Sequence, residues 1–395
     1  MKKILIMLIL LIPFNIKADE INVSSKNAIL LNLTTNEVLY EKNKDEIVKV
    51  ASLQKIMTTL ISIENIDDYN KKVKIDLSEF NSLDKDLAII GFNNGDEVTY
   101  DDLLYGTLLR SGADAAYKLA LEVGGSEEEF VNLMNEKVKE LGLKNTNFKN
   151  CTGLDAKNQF STAYDMAIIL KYALLNEKFK EIITTKEYNI NSLDILLKGP
   201  KNRAKSLEMP YFMGGKTGYT NEAGLCLASY AIIDNVEFIL ITLGADYNLK
   251  NQNYIDQKNI YDYYKNNYSY RTILKKGTYI STIKSNFYKN IDLFADKDIK
   301  LYINNKIMDE DIYIKYSGIE KINKKIKFNE KIGTYYVMYK DKVLYKRDVY
   351  LKENIIYNFE WYYIIFLLLF LIIFGKIIRI KKRTWKKVLM MIKLL

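Results

Sequence analysis

Ser52 and Lys55 stand three residues apart in Val50-Ala51-Ser52-Leu53-Gln54-Lys55-Ile56-Met57-Thr58. At a helix start this spacing stacks an ammonium nitrogen one turn from a hydroxyl. Such a pair can do nucleophilic chemistry, because a serine must lose its proton to attack and a lysine can take it as a free amine. For that, burial and a second cation must bring the lysine down from about 10.4 toward neutrality. A second lysine is therefore expected nearby. Gly214-Gly215-Lys216-Thr217-Gly218-Tyr219-Thr220 supplies one, with a hydroxyl and a glycine that lets backbone come close. Between the two, Leu108-Leu109-Arg110-Ser111-Gly112-Ala113-Asp114-Ala115 places Ser111 at the end of a helical run. Taken singly, each segment reads better as structure, Ser52 and Ser111 as helix caps and 214–220 as a glycine turn. Other chemistries are narrowed by composition. The 395 residues contain no histidine, which removes Ser-His-Asp and Cys-His mechanisms and His-ligated metals. The two cysteines, Cys151 and Cys226, cannot form a four-ligand zinc site or a disulfide framework and are read as free thiols.

The elements that must carry these residues follow from periodicity. Residues 28–33 and 37–40 read as a hairpin around Thr34-Thr35-Asn36. From about 52 to 170 the spacing is helical, notably over 101–109, 115–123 and 127–141, the last ending at Gly142. Residues 225–233 and 236–243 are continuous apolar runs joined at Asp234-Asn235, a buried hairpin, and 253–268 a returning helix. Strands, helices, then strands again predict one α+β domain with an antiparallel sheet fed by both chain ends. After about residue 271 the runs 278–283, 299–303, 312–316, 325–328 and 334–339 predict a small all-β domain.

The ends carry the charge. The formal charge is +9, but the last twenty residues hold eight Lys and Arg and no acid, and the first eighteen hold three bases and no acid. The body between is close to neutral, so no nucleic-acid partner is expected. Lys2 and Lys3 before the apolar run 4–14, with Ala18 ahead of Asp19, read as a signal peptide over 1–18. Near the other end, 358–380 reads as a transmembrane helix with Trp361, Tyr362 and Tyr363 as an interfacial belt, and 381–395 as a basic cytoplasmic tail. An in-plane amphipathic anchor is the alternative there. The body is thus expected outside the cytoplasmic membrane.

Ser52-x-x-Lys55, Ser111 and Lys216-Thr217-Gly218, in this order, match the three elements of penicillin-binding proteins and class A β-lactamases. With 100–116, the phrase Asn147-Phe148-Lys149-Asn150-Cys151-Thr152-Gly153-Leu154-Asp155, Ser161-Thr162-Ala163 and 215–224, the chain over 21–270 resembles a serine-type D-alanyl-D-alanine carboxypeptidase of the low-molecular-mass penicillin-binding protein family. The resemblance implies a β-lactamase/transpeptidase-like domain over 21–270, followed here by the small β domain over 271–350. It implies Ser52 as the acylated nucleophile, Lys55 as its proton acceptor and Ser111 as a proton relay to the leaving D-alanine. Lys216 and Thr217 would hold the substrate's carboxylate, and Lys216 would also hold Lys55 neutral. Gly218 belongs to the same element, and the backbone N–H groups of Ser52 and Tyr219 would form the oxyanion hole. The implied partners are a peptidoglycan stem peptide and β-lactams as covalent inhibitors; no cofactor or metal is called for. Two departures stand out: Ala113 occupies the place where the family usually has Asn, and 245–259 lacks the arginine common after Gly244. Two other readings stay open, a β-lactamase-like hydrolase of the same superfamily and a catalytically inactive wall-binding protein.

Overall fold

One antiparallel sheet, fed by strands from both ends of its unit, organises the first part of the chain. The computed structural model describes residues 21–78, 80, 87–285, 289–322, 326–352 and 361–392. The expected signal peptide lies outside them, as do 358–360 and 393–395 of the expected anchor and tail. The chain divides into two compact units, Met1–Tyr270 and Arg271–Leu395.

In the first unit the hairpin β1 (Asn27–Asn32) and β2 (Glu37–Lys42) leads through a short 3₁₀ turn at Ala51–Gln54 into α1 (Lys55–Asn65). A small ladder, β3 (Lys72–Lys74) with β4 (Glu97–Thr99), precedes α2 (Tyr100–Leu109), α3 (Ala113–Gly124), α4 (Glu127–Glu140), α5 (Ala163–Ala173) and α6 (Glu177–Thr184). The hairpin β5 (Glu187–Ile190) and β6 (Ile195–Lys198), then α7 (Pro200–Ser206), return the chain to β7 (Phe212–Thr220), β8 (Gly224–Ile233) and β9 (Val236–Ala245); α8 (Gln252–Asn267) follows. The sheet order is β2-β1-β9-β8-β7, so β7 is an edge.

Local chemistry explains the boundaries. Thr99 and Asp102 form a reciprocal capping box at α2, and Ser126 and Thr162 cap α4 and α5. Asp234 and Asn235 both take positive φ, +50° and +63°, which is the two-residue turn that matches strand twist in a hairpin. β1 is buried along its whole length, as a strand covered on both faces must be. α1 is buried from Lys55 to Ile63, including Thr58, Thr59 and Ser62, and is therefore a central helix. On β8 and β9, α8 is pinned by Gln257, whose amide donates to the carbonyls of Leu227 (2.9 Å) and Leu240 (3.0 Å).

β10 (Tyr268–Leu274) crosses the boundary, and the described rest of the second unit before its last helix holds strands: β11 (Tyr279–Ser285), β12 (Ile291–Phe294), β13 (Ile299–Asn304), β14 (Ile312–Gly318), β15 (Lys321–Ile322), β16 (Lys331–Tyr339) and β17 (Lys342–Tyr350). Two three-stranded sheets have the orders β12-β11-β15 and β14-β16-β17, and β10 pairs with β13. One expected strand is absent. The described part of 325–328 forms a turn, because Asn329 takes φ +60° and the Lys327 N–H donates to the Glu330 carboxylate at 3.0 Å. α9 (Trp361–Ile392) is an unbroken helix, about 48 Å at 1.5 Å per residue. Its segment Tyr363–Ile392 is long and apolar enough to cross a membrane, and the helix runs on past 380 without a break.

Candidate active site

Edge strand β7 lies against the turn that carries Ser52, and glycine makes the approach possible. A Cβ on Gly218 would sit 3.1 Å from the Ser52 nitrogen and 3.2 Å from the Val50 oxygen. From another direction comes the turn 150–153. Gly153, at φ +87°, passes so close that a Cβ there would lie 2.4 Å from the Ala51 oxygen and 2.9 Å from the Ser52 Cα. Ala51 itself holds φ +50°, a left-handed conformation that a non-glycine residue keeps only where its surroundings over-determine it. The nucleophile candidate thus sits on a strained turn clamped between two glycines.

Lys55 opens α1 one turn further on, 1% exposed, and its Nζ lies 3.1 Å from the Ser52 Oγ. It also donates to the Thr152 carbonyl. Burial brings Lys55 down to about 8, against the opposing influence of Cys151 and Asp114. Lys216, also 1% exposed, is pushed well below the usual lysine range, first by burial and then by the charge of Lys55. Its ammonium donates to the Thr217 carbonyl at 2.8 Å. The sequence expectation gave Lys216's charge the task of keeping Lys55 neutral. Burial, the other cause named in the sequence reading, leads for both, and the two cations repel each other across one pocket. Two ammonium groups in one dry pocket disfavour double protonation.

Ser111 occupies the connection between α2 and α3 in a left-handed conformation, φ +66°, and among the described residues no hydrogen bond joins it to Ser52, Lys55 or Lys216. Ala113 is wholly buried, with its N–H on the Ala88 carbonyl at 2.8 Å. Asp114 is structural: its carboxylate accepts from the N–H groups of Ile90 (2.9 Å), Gly91 (2.9 Å) and Phe92 (3.3 Å). Asp165 likewise accepts from Asn145 N–H at 3.1 Å and Thr146 Oγ1 at 2.8 Å. The Tyr219 side chain points to solvent, packs on Tyr247 with ring centres 6.0 Å apart and donates to Asn221 at 2.8 Å. Lys250 is exposed, and Lys258 pairs with Asp262 at 2.6 Å. Both cysteines are free and buried, and no group of His, Cys, Asp and Glu suited to a metal ion occurs among the described residues.

Sequence reasoning gave no role to the turn that holds Lys55. The Asn150 carboxamide accepts from the N–H of Gly153 (2.8 Å) and Thr152 (3.2 Å) and donates to the Leu154 carbonyl (2.9 Å). Glu127 accepts from Cys151 N–H at 2.9 Å, and Thr58 donates to the Cys151 carbonyl at 2.7 Å. The Thr152 carbonyl is thereby fixed where Lys55 needs an acceptor. An asparagine three residues before a glycine was the available signal, since Asn side chains organise turns in this way.

The chain matches the family model described as D-alanyl-D-alanine carboxypeptidase over residues 14–247, and that of the penicillin-binding protein 5 C-terminal domain over 268–356. The chain belongs to the D-alanyl-D-alanine carboxypeptidase family. Within it, the chain is 32% identical over 346 residues to the D-alanyl-D-alanine carboxypeptidase DacF of Bacillus subtilis, covering 86% of this chain and 87% of the relative. It is 35% identical over 237 residues to DacC of Escherichia coli, 57% of each chain. Among solved structures, penicillin-binding protein 5 from Haemophilus influenzae aligns with a TM-score of 0.68 at 23% identity, over 85% of this chain and 98% of that one. The carboxypeptidase is thus a serine-type, penicillin-binding member whose family acts on wall peptides, with a transpeptidase-like fold and a C-terminal all-β domain, as the sequence predicts.

Proposed function

We propose that this carboxypeptidase removes the terminal D-alanine from pentapeptide stems of peptidoglycan through an acyl-enzyme on Ser52. Lys55 takes the Ser52 Oγ proton as the oxygen attacks the carbonyl between the two D-alanines. Ser111 passes a proton to the departing amine, and water then cleaves the ester. Lys216 and Thr217 receive the free carboxylate, with Gly218 keeping the strand close. The incoming anion restores the charge that burial takes from Lys216. The backbone N–H groups of Ser52 and Tyr219 stabilise the oxyanion, a contribution of about 3–4 kcal/mol for a donor of this kind. Residues 1–18 export the chain, and α9 tethers it with its catalytic unit outside the cytoplasmic membrane and 381–395 inside.

The observation that carries this reading is the 3.1 Å contact between Lys55 and Ser52, at a lysine that burial lowers to about 8. The test is mass spectrometry of D-alanine release from a pentapeptide stem, comparing the protein with Ser52→Ala and Ala113→Asn. Loss is expected in the first and a gain or no change in the second; release undiminished by Ser52→Ala ends the assignment. The methyl of Ala113 at a buried position next to Asp114 favours a second reading, a wall-binding protein without turnover. A fluorescent penicillin decides it, because absence of a covalent label on the wild-type chain leaves only binding.

A further inference from the structure

A row across the sheet of the first unit ends in two exposed aromatic rings. In the register of β7, β8 and β9, Tyr219 stands opposite Leu225, and Leu225 opposite Ala245. Just past Ala245, Tyr247 sits on a tight turn. The Leu249 N–H donates to the Asp246 carbonyl at 3.4 Å, and the Asp246 carboxylate accepts from the Asn248 N–H at 2.9 Å. This turn brings the Tyr247 ring back to Tyr219, with ring centres 6.0 Å apart and planes inclined at 58°. The Tyr219 hydroxyl is tied to Asn221 at 2.8 Å, which orients its ring. Tyr219 is nevertheless 43% exposed and Tyr247 59%. Two inclined rings left open on ordered backbone offer a surface for an aliphatic side chain.

Their place along β7 says whose side chain that is. Pairing with β8 is regular from Gly214 to Thr220, so Tyr219 projects from the same face as Thr217, about 7 Å further along. This inference rests on the reaction proposed above, in which the carboxylate of the expelled residue is held at Thr217 and the carbonyl it leaves is held at the Tyr219 N–H. The expelled residue therefore lies between these two positions. The other face of β7 is full there: Lys216 is 1% exposed, and even a Cβ on Gly218 would stand 3.1 Å from the Ser52 nitrogen. A side chain on the expelled residue has the Thr217 face to enter, beside Tyr219 and Tyr247.

We propose that Tyr219 and Tyr247 form a seat for the side chain of the expelled residue, and that the enzyme takes stems ending in a larger apolar D-residue, such as D-leucine, in preference to those ending in D-alanine. The methyl of D-alanine is too short to cover either ring, whereas a branched aliphatic chain can lie against both. One methylene in an enclosed hydrophobic pocket changes kcat/KM by about 10–200-fold, so three further carbons on an open seat are expected to give about tenfold in all.

The experiment uses the full chain in detergent micelles and two N-acylated tripeptides, L-Lys-D-Ala-D-Ala and L-Lys-D-Ala-D-Leu. The released amino acid is measured by mass spectrometry, and kcat/KM is taken for each peptide. The wild type is expected to favour D-leucine release by about tenfold. Tyr247→Ala should bring the ratio of the two kcat/KM values to about one, and Tyr247→Phe, which keeps the ring, should leave it as in the wild type. The ratio does not depend on how much of a variant is folded, because both peptides meet the same active molecules. A wild-type ratio of one or less, a ratio that Tyr247→Ala leaves unmoved, or one that falls as far in Tyr247→Phe overturns the seat while D-alanine release still upholds the reaction. Release of neither amino acid overturns the reaction, and the seat with it.

Discussion

Gly153→Ala separates the clamp on Ser52 from ordinary backbone strain. The new Cβ would stand 2.4 Å from the Ala51 oxygen and 2.7 Å from its carbonyl carbon. Ordinary contact begins near 3.4 Å, so the turn bearing Ser52 and the turn bearing the Thr152 carbonyl must part by about 1 Å. A displacement of about 1 Å between reacting groups costs on the order of 10²-fold in rate. The substitution also carries the left-handed penalty of φ +87°, roughly 1–2 kcal/mol. Gly142→Ala isolates that second effect: it has φ +71° and nothing within 4 Å of its would-be Cβ. Both variants are expected to lose a similar amount of stability to strain, with a further loss for Gly153→Ala. Only Gly153→Ala should slow acylation by a fluorescent penicillin, about a hundredfold in the second-order rate constant. If Gly153→Ala acylates within twofold of the wild type, or Gly142→Ala slows as much, the clamp is not what positions the nucleophile.

The acylation rate should rise with pH and level off above about 8, since only the free amine of Lys55 accepts a proton and burial lowers it to about 8; a limb near 10 in a stopped-flow profile would count against Lys55 as base. Because Asp114 pulls Lys55 upward, Asp114→Asn should move that limb to lower pH, and a shift in the other direction would refute the coupling. Asn150→Ala removes the two bonds to Gly153 and Thr152 N–H and should cost about 1–3 kcal/mol in urea unfolding, with slower acylation. Asn150→Asp keeps both acceptors and should recover most of each. A chain ending before Trp361 should leave the membrane fraction on cell fractionation while still labelling with penicillin; a protein that stays membrane-bound would show that α9 is not the anchor.

Much of the first unit was legible because its signals are local. The Asp234-Asn235 turn, the end of the helical run at Gly142, and the change from helical to strand spacing at the runs 225–233 and 236–243 each depend on a few neighbouring residues. Ser52 and Lys55 were legible as a pair for the same reason, being one helical turn apart. Their chemistry was less so. Spacing could say that burial and a second cation were needed, but the burial of Lys55 depends on the turn 150–153, far away in sequence, and has no local signature. The positive φ of Ala51 and the acceptor role of the Thr152 carbonyl have no side-chain signature, because both are backbone properties set by tertiary packing. In the second unit, Ile- and Tyr-rich runs gave strands, but the apolar pattern at 325–328 masked a turn fixed by Asn329 and Glu330. β12 and β17 passed unnoticed, being short or broken by charge.

The depth of Lys55 has a consequence for isotope traffic. Its nitrogen touches the Ser52 oxygen and a carbonyl that can accept a hydrogen bond but cannot ferry a proton onward. A hydron taken up by Lys55 therefore returns by way of the half-buried Ser52 hydroxyl and not through the carbonyl. Once Ser52 is acylated that route is closed, and the Lys55 ammonium should trade hydrons with heavy water more slowly in the acyl-enzyme than in the free chain.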